Sequence, residues 1–285
     1  MEQAKFLTHE PIVAVVASMH LHEEGLAKIE EWVAQRYPEC FVDSVGNHWS
    51  LLPHQDGVTD NELLVEIAGR KCYNSFGSKA GKKSNREYIA NTQQGEIPHA
   101  SIMYHAKMTF FIAGISRRVS HELIRHYVGA DRDEEGSPSQ ESTRYVEHPG
   151  YYVVHPGILD NPSEVEQFKL AMKHNYGEYR DYIARRIDTY TRNYGNPPTG
   201  MDRKRIFESS SSYLSHSCET SFIWTTNPVA VAKLFHERDN EAADLEFLRL
   251  AKVWKDVCVK RWPNLFPQLW MQDSYMKIWG TSLNG

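Results

Sequence analysis

The stretch that organises this chain reads SRRVSHELIRHYVGADRDEEGSPSQESTRY, from Ser116 to Tyr145. It begins with the residues of a basic helix, continues as an acidic loop marked by glycine, and ends in a hydroxyl-rich segment closed by Arg144 and Tyr145. Apolar sequence flanks it on both sides, so this density of polar groups is not typical of a solvated surface. We interpret the stretch as an anion-binding and substrate-binding segment, and the rest of the chain as its scaffold.

Composition limits the class of protein. The chain has 285 residues, 41% of them hydrophobic, which is enough for a sizeable core. Its formal net charge of -5 disfavours a general nucleic-acid binder, because backbone binding requires a positive surface. No apolar run approaches the ~20 residues that span a bilayer, and the N-terminus is too polar for a secretory signal. The scattered cysteines are typical of reduced thiols in the cytoplasm: Cys40, Cys72, Cys218 and Cys258.

Hydrophobic periodicity predicts helices that alternate with short strands. Helices are predicted over residues 23–36, 61–73, 85–94, 162–194 and 202–214, and strands over residues 11–17, 99–112, 145–154 and 221–225. Asn161 and Pro162 predict the start of the longest helix, and Gly195 predicts its end. Neither an internal repeat nor a low-complexity linker divides the chain, so we expect one domain.

The organising helix is predicted to have two unlike faces. Its apolar line is expected to run through Ile112, Ile115, Val119 and Leu123. The opposite face carries Arg118, Glu122 and Arg125 at helical spacing, a pattern that is also typical of a solvent face with charge pairs. The functional interpretation is favoured because this helix runs directly into the acidic loop and the serine-rich segment.

A single arginine interrupts the apolar line of the last main helix. That helix is predicted to begin at Pro228, capped by Asn227, with an apolar line through Val231, Phe235, Arg238, Ala242, Leu245 and Leu248. A buried guanidinium needs a carboxylate, a phosphate or a planar polar ligand, because burying it alone costs several kcal/mol. From the sequence, an internal salt bridge and a ligand contact remain equally open for Arg238.

Several familiar chemistries do not fit. His121 and His126 are five positions apart, so on a helix they point ~140° away from each other and cannot share a zinc ion. The nucleotide loops with Walker or Rossmann spacing are absent, and so is the G-x-S-x-G turn of many hydrolases. Hydroxyls followed by an arginine suit a phosphate monoester, and a buried planar arginine suits a carbonyl-rich base such as uracil. These parts indicate a nucleotide-binding site without specifying a reaction.

The same residues resemble the flavin-dependent thymidylate synthase (ThyX) family. The family has an R-H-R triplet followed by a segment of the type S-Q/E-x-S-x-R-Y. Arg125-His126-Tyr127 matches the triplet except at its third residue, and Ser139 to Tyr145 matches the second segment. Weaker matches lie in the family's order along the chain: Arg70-Lys71-Cys72-Tyr73, Asn85-Arg86-Glu87, His99-Ala100-Ser101 with His105, Ile115-Ser116-Arg117, His121-Glu122-Leu123, Glu219-Thr220, Asn227, Arg238 and Asp244-Leu245-Glu246. The resemblance covers residues 61–253.

The resemblance implies a fold and an activity. We expect a mixed α/β (α+β) fold with a central, mostly antiparallel sheet flanked by long helices, as one catalytic domain over residues 1–285. Residues 1–60 and 254–285 would be terminal extensions of a family core. The implied enzyme is a homotetramer with FAD at subunit interfaces, which methylates a uridine monophosphate at C5. Methylenetetrahydrofolate would donate the carbon and NADPH the hydride, and the implied partners include neither a membrane nor a nucleic acid.

The resemblance assigns roles to individual residues of this chain by their positions in the family's motifs. The resemblance places five residues near FAD: Arg125, His126, His105, Asn227 and Lys233. It places six at the sugar and phosphate of the nucleotide: Glu122, Ser139, Gln140, Ser142, Thr143 and Arg144. Arg238 would contact the uracil ring, and Arg238 and Ser142 are the expected catalytic-site residues, with Ser142 binding rather than attacking the base. The resemblance implies no metal.

The chain also departs from the family pattern. Tyr127 replaces the second arginine of the triplet, and residues 128–141, which include the acidic run 131–136, make the following loop longer than the family's. Ser211 stands where the family has a phosphate-binding arginine, which Arg205 or Lys204 would have to replace. Three functions stay open: a dUMP methylase, a specialised methylase of ribo-UMP in a nucleoside-antibiotic pathway, and a non-catalytic relative that binds flavin or nucleotide.

Overall fold

The computed structural model describes residues 4–41, 57–76, 83–93, 99–127, 138–238 and 242–266. The strands in this part of the chain are β1 (Lys5–Leu7), β2 (Ile12–Ser18), β3 (Met108–Ser116), β4 (Ser139–Gln140), β5 (Tyr151–Val153) and β6 (Glu219–Thr226). The α-helices are α1 (Glu23–Arg36), α2 (Asp60–Tyr73), α3 (Asn85–Gln93), α4 (Arg117–Tyr127), α5 (Pro162–Tyr194), α6 (Gly200–Ser210), α7 (Pro228–Arg238) and α8 (Leu245–Arg261). No described helix is both long and apolar enough to cross a membrane.

A four-stranded antiparallel sheet with the order β2-β3-β6-β4 forms the centre of the fold. Strand β3 is paired on both sides, and its apolar sequence MTFFIAGIS suits that buried position. Gly114 has φ +74 and marks the bulge at which the register with β6 shifts between Ile112 and Ile115. The Glu219 carboxylate accepts a hydrogen bond from the Gly114 amide at 3.0 Å, which fixes this bulge.

The main core lies on one face of this sheet. Trp254 of α8 is fully buried there, and its ring lies 5.1 Å from that of Phe110, 5.4 Å from that of Trp224 and 5.9 Å from that of Phe235, all edge-on. Edge-to-face rings add a specific geometry to the large apolar area they bury. This packing joins α7 and α8 to the two central strands, which carry the site described below.

A second, smaller core surrounds Tyr152 of β5, which pairs in parallel with β1. Helix α5 packs Tyr176 and Tyr179 against it, and α6 adds Phe207. Gly150 enters this core with φ +83, and a Cβ placed there would lie 2.8 Å from the Tyr176 ring. The position therefore requires glycine for both its backbone angle and its space.

The structure confirms the predicted mixed α/β fold with a central antiparallel sheet. Helix α1 has the predicted limits, and α5 begins and ends as its signals indicated. Asn161 accepts hydrogen bonds from the amides of Ser163 and Glu164, and Gly195 is left-handed. Strand β2, which belongs to the predicted N-terminal extension, is an integral strand of the central sheet.

Two predictions around the organising helix are wrong. Residues 99–112 are not one strand, because Ala100–His105 form a 3-10 turn that the Ala106 amide closes on the Met103 carbonyl. The apolar line of the helix does not include Ile112 and Ile115, which lie in β3. The bulge at Gly114 lets Ile115 stay paired in the sheet, so the helix begins only at Arg117.

Two further boundaries differ. Residues 145–150 are not strand, because the Ser142 carbonyl accepts the amides of Tyr145 and Val146 and turns the chain before β5. The single helix predicted from Pro228 through Leu248 is two helices. The Asp244 carboxylate accepts from the amides of Glu246 and Phe247 and so caps a new helix, α8.

Candidate active site

The site is built around the point where β3 passes into α4. Glu246, buried at the start of α8, accepts hydrogen bonds from the Ser116 amide at 2.7 Å and from the Ser116 hydroxyl at 2.9 Å. Arg118 donates to Glu246 at 2.9 Å and also to Asp244, the residue that caps α8. A buried carboxylate that accepts three charge-assisted hydrogen bonds is held rigidly. The start of α4 is therefore fastened to α8.

The hydroxyl-rich segment is fixed to the other side of this junction by Gln140. Its side-chain nitrogen donates to the Ser120 hydroxyl of α4 at 2.9 Å and to the Thr220 hydroxyl of β6 at 3.0 Å. Arg117 donates to the carbonyl of Glu141 at 2.8 Å, one residue further along. These bonds bring the two ends of the organising stretch together.

Beyond β4 the chain makes a tight turn that presents its polar side chains. The Ser142 hydroxyl accepts from the Arg144 amide at 3.3 Å, and Ser142 and Thr143 are partly buried. The Arg144 side chain is largely exposed and lies 3.6 Å from Glu208 of α6. Ser139, at the start of β4, is exposed. All four belong to the group predicted to bind the nucleotide.

Arg238, at the end of α7, pairs with Glu122 of α4. The guanidinium lies 3.1 Å from the Glu122 carboxylate and 5.5 Å from the centre of the Phe247 ring. The side chains of Arg238 and Glu122 are 24% and 23% exposed, so the arginine is not fully buried as its place on the apolar line suggested. The internal salt bridge left open by the sequence is present.

The pKa values of two residues close to the site, Glu219 and His148, are shifted. Burial raises the pKa of Glu219, and the hydrogen bond from the Gly114 amide opposes this. Burial lowers the pKa of His148 to about 4. The His148 ring accepts from the Gly150 amide at 3.1 Å and faces the Glu219 carbonyl at 3.4 Å. A neutral His148 with its proton on Nε2 satisfies both contacts, so its place here is structural.

The structure describes the side chains of three of the five residues predicted near FAD. The side chains of Arg125 and His126 lie outside the described residues. His105 is exposed at the end of the 3-10 turn, and Lys233 is partly exposed on α7, which packs against that turn. Asn227 is buried at the start of α7, where its side-chain oxygen accepts from the amides of Val229 and Ala230, both at 3.0 Å. Its side-chain nitrogen is buried without an acceptor among the described residues.

Sequence reasoning missed two contributors. Ser120 links α4 to Gln140, yet nothing distinguishes it from other helical serines in the sequence. Glu208 meets Arg144, and its only sequence signal is the i,i+4 spacing from Lys204. Residues 131–136, the acidic part of the loop, lie outside the described residues, and so do residues 77–82 within the glycine-, serine- and lysine-rich sequence SFGSKAGKKS at residues 75–84.

Fold and site together define a mixed α/β protein with an arginine- and hydroxyl-rich site where its central antiparallel sheet meets α4. The model of the family described as "Thymidylate synthase complementing protein" matches residues 52–264. The flavin-dependent thymidylate synthase of Mycolicibacterium vanbaalenii is 33% identical over 202 residues, which are 70% of this chain and 76% of that protein. The Mycobacterium avium protein of the same description is 32% identical over the same shares. The chain therefore belongs to the flavin-dependent thymidylate synthase family, as its motifs predicted.

Solved structures share the fold. The UMP/dUMP methylase PolB from Streptomyces cacaoi, bound with 5-Br UMP, superposes with a TM-score of 0.56 at 17% identity, covering 93% of this chain and 95% of PolB. ThyX from Helicobacter pylori, with FAD and dUMP, superposes with a TM-score of 0.50 at 19% identity, covering 73% of this chain and 95% of that one.

Proposed function

We propose that this protein catalyses the FAD-dependent reductive methylation of a uridine monophosphate at C5, with methylenetetrahydrofolate as carbon donor and NADPH as reductant. The observation that carries the proposal is that α4 contacts two of the family's other motifs. Gln140 joins α4 to β6, and Arg238 meets Glu122. The relatives' description as flavin-dependent thymidylate synthases supports the reaction type.

The partly exposed side chain of Arg238 suits contact with the pyrimidine ring. Its planar fork could donate to a ring carbonyl, and the Glu122 carboxylate, 3.1 Å away, would hold it in place. A fixed positive charge at that oxygen would stabilise an enolate-like ring, in which negative charge shared between the oxygen and C5 makes C5 nucleophilic. Arg238 would therefore serve both in binding and in catalysis.

Ser142 is suited to binding rather than to attack. Its hydroxyl accepts from the Arg144 amide, and no described histidine or carboxylate is hydrogen-bonded to it as a base. A serine without an adjacent base is a weak nucleophile. With Thr143, Ser139 and Gln140, Ser142 would hold the sugar and phosphate while Arg144 supplies positive charge.

The described residues fit a flavin in one respect. The buried side-chain nitrogen of Asn227 needs an acceptor, and flavins and pyrophosphates carry several carbonyl and phosphate oxygens. Lys233 and His105 lie on α7 and on the 3-10 turn that packs against it, and Arg125 and His126 at the end of α4 would complete the set. When bound, FAD would supply hydride transfer between NADPH and the nucleotide.

We also propose a homotetramer that acts in the cytoplasm. The sheet face opposite the main core exposes Ile12 and Ile223, with Phe111 partly buried between them, and an apolar surface of this kind supports association. Cys218 and Cys258 are buried and unpaired, which suits a reducing compartment. The whole chain would act as one catalytic domain.

The second candidate is a preference for UMP over dUMP. PolB, whose fold this chain shares, is described as a UMP/dUMP methylase, so both nucleotides are candidate substrates. The longer loop at residues 128–141 and the serine at position 211 favour a nucleotide with a different sugar. Turnover of UMP and dUMP should be compared with the same FAD-loaded protein, NADPH and methylenetetrahydrofolate. A strong preference for dUMP would remove the specialised function.

A non-catalytic relative is tested by the same preparation. The purified protein is expected to be yellow or to take up added FAD. A protein that binds no FAD contradicts both enzymatic functions. One that oxidises NADPH without methylating either nucleotide supports a redox or binding role.

A further inference from the structure

Two cations meet a single carboxylate beside the turn that follows β4. The Glu208 Oε1 atom lies 3.6 Å from a guanidinium nitrogen of Arg144 and 3.4 Å from the ammonium of Lys204. The Lys204 ammonium also lies 5.2 Å from the centre of the Tyr145 ring, and the Arg144 guanidinium 5.8 Å from the same ring. Residues from α6 and from the hydroxyl-rich segment thus converge on one point.

Charge and distance indicate that Glu208 is a loose partner. The three groups sum to one net positive charge, since two cations face one anion. Both nitrogen–oxygen distances exceed the ~2.7–2.9 Å of a strong charge-assisted hydrogen bond. Glu208 is also partly exposed and can rotate into solvent. A phosphate monoester carries about two negative charges and three acceptor oxygens, so it would satisfy both cations better.

We propose that Lys204 and Arg144 form the anchor for the nucleotide phosphate, and that Glu208 occupies the anchor only until the nucleotide binds. The inference rests on the proposed function, because it takes the ligand to be a nucleoside monophosphate. It assigns to Lys204 the task that the family gives to an arginine at the place of Ser211. In this chain the Ser211 hydroxyl donates to the Glu208 carbonyl at 2.7 Å instead.

The structure discriminates between the two basic neighbours on α6. The Lys204 side chain is only 18% exposed and points toward Tyr145 and Glu208. The Arg205 side chain is 71% exposed and lies 3.9 Å from Asp202, on the same helix. Adjacent residues on a helix point ~100° apart, so only one of them can face the site. Arg205 is therefore the matched control.

The test compares the binding of UMP and dUMP with that of uridine and deoxyuridine, by calorimetry on the FAD-loaded protein. Lys204→Met keeps most of the aliphatic stem and removes the charge. We expect the Kd of the monophosphates to rise roughly 10- to 100-fold, which corresponds to the loss of one charged hydrogen bond. The Kd of the nucleosides should change less than about 2-fold. Lys204→Arg should restore most of the affinity, Arg205→Met should have little effect, and Glu208→Gln should tighten monophosphate binding.

The outcomes separate the inference from the function on which it rests. If the wild type binds monophosphates but Lys204→Met weakens them no more than Arg205→Met, the anchor is wrong while the proposed function stands. If Lys204→Met weakens the binding of nucleosides as much as that of monophosphates, the proposed anchor is also wrong. Weaker monophosphate binding by Glu208→Gln overturns the role of Glu208. A folded, FAD-loaded wild type that binds no uridine nucleotide at all refutes the proposed function together with the anchor.

Discussion

Replacing Arg238 by lysine tests whether the guanidinium fork or only its charge is needed. Lysine keeps the positive charge but cannot donate two parallel hydrogen bonds to a carbonyl or to Glu122. A hydrogen bond to a charged group contributes about 1.5–3 kcal/mol, which corresponds to roughly 10- to 140-fold in a rate or binding constant. We therefore expect kcat/KM for the preferred nucleotide to fall within that range in Arg238→Lys.

Arg249 provides the matched control for this substitution. It lies on α8, its side chain is 23% exposed against 24% for Arg238, and it pairs with Glu10 at 3.3 Å. Arg249→Lys should leave kcat/KM within about 2-fold of the wild type, because an ion pair of this kind contributes roughly 0–1 kcal/mol to stability and none of the fork's chemistry. The reasoning is refuted if Arg238→Lys keeps more than half of the wild-type kcat/KM, or if both variants lose activity equally.

Three other predictions concern the supports of the site. Gln140→Met keeps a side chain of similar length and removes the amide that donates to the Ser120 and Thr220 hydroxyls, and losing two bonds of roughly 1 kcal/mol each should raise the nucleotide KM on the order of 10-fold. An unchanged KM would show that these bonds do not position the segment. His148, with its pKa lowered to about 4, stays neutral while the unfolded chain takes up a proton below about pH 6.5, so stability should fall by up to about 3 kcal/mol from pH 6.5 to pH 4. Urea titrations at several pH values should show that the free energy of unfolding depends less on pH in His148→Gln than in the wild type, whereas the exposed control His174→Gln should keep the wild-type dependence. An equal pH dependence in the two variants would contradict the assignment. Gly150→Ala should destabilise the protein by roughly 2–4 kcal/mol, because of the left-handed backbone and the clash with the Tyr176 ring. Gly177→Ala, in open space on α5, should stabilise it by up to about 1 kcal/mol. Thermal unfolding that ranks the two variants otherwise would refute the packing argument.

Elements with local end signals could be predicted from the sequence. The longest helix carries an asparagine cap and a proline at its start and a left-handed glycine at its end, and α5 has those limits. The break after Arg238 has a readable signal too, since Asp244 is a capping residue followed by helix-forming sequence. The break between α7 and α8 was missed because the spacing of apolar residues continues across it by chance. Such spacing does not distinguish one helix from two successive helices.

Other features depend on contacts that no local pattern encodes. Ile112 and Ile115 fit a helical line, but pairing with β6 on one side and β2 on the other places β3 in the centre of the sheet. The need of Arg238 for an anion could be predicted from the cost of burying its charge. Its partner, Glu122, could not be predicted, because the two are far apart in sequence and meet only through the tertiary fold.

The most direct test of the proposed function follows the methylene carbon. The FAD-loaded protein is incubated with NADPH, methylenetetrahydrofolate labelled with 13C at the methylene carbon, and either UMP or dUMP, and the nucleotides are analysed by mass spectrometry and NMR. We expect a nucleotide with a labelled methyl group at C5, formed only when NADPH is present, and much less of it with Arg238→Lys. A folded protein that holds FAD and yields no labelled C5-methyl nucleotide from either substrate would contradict the account.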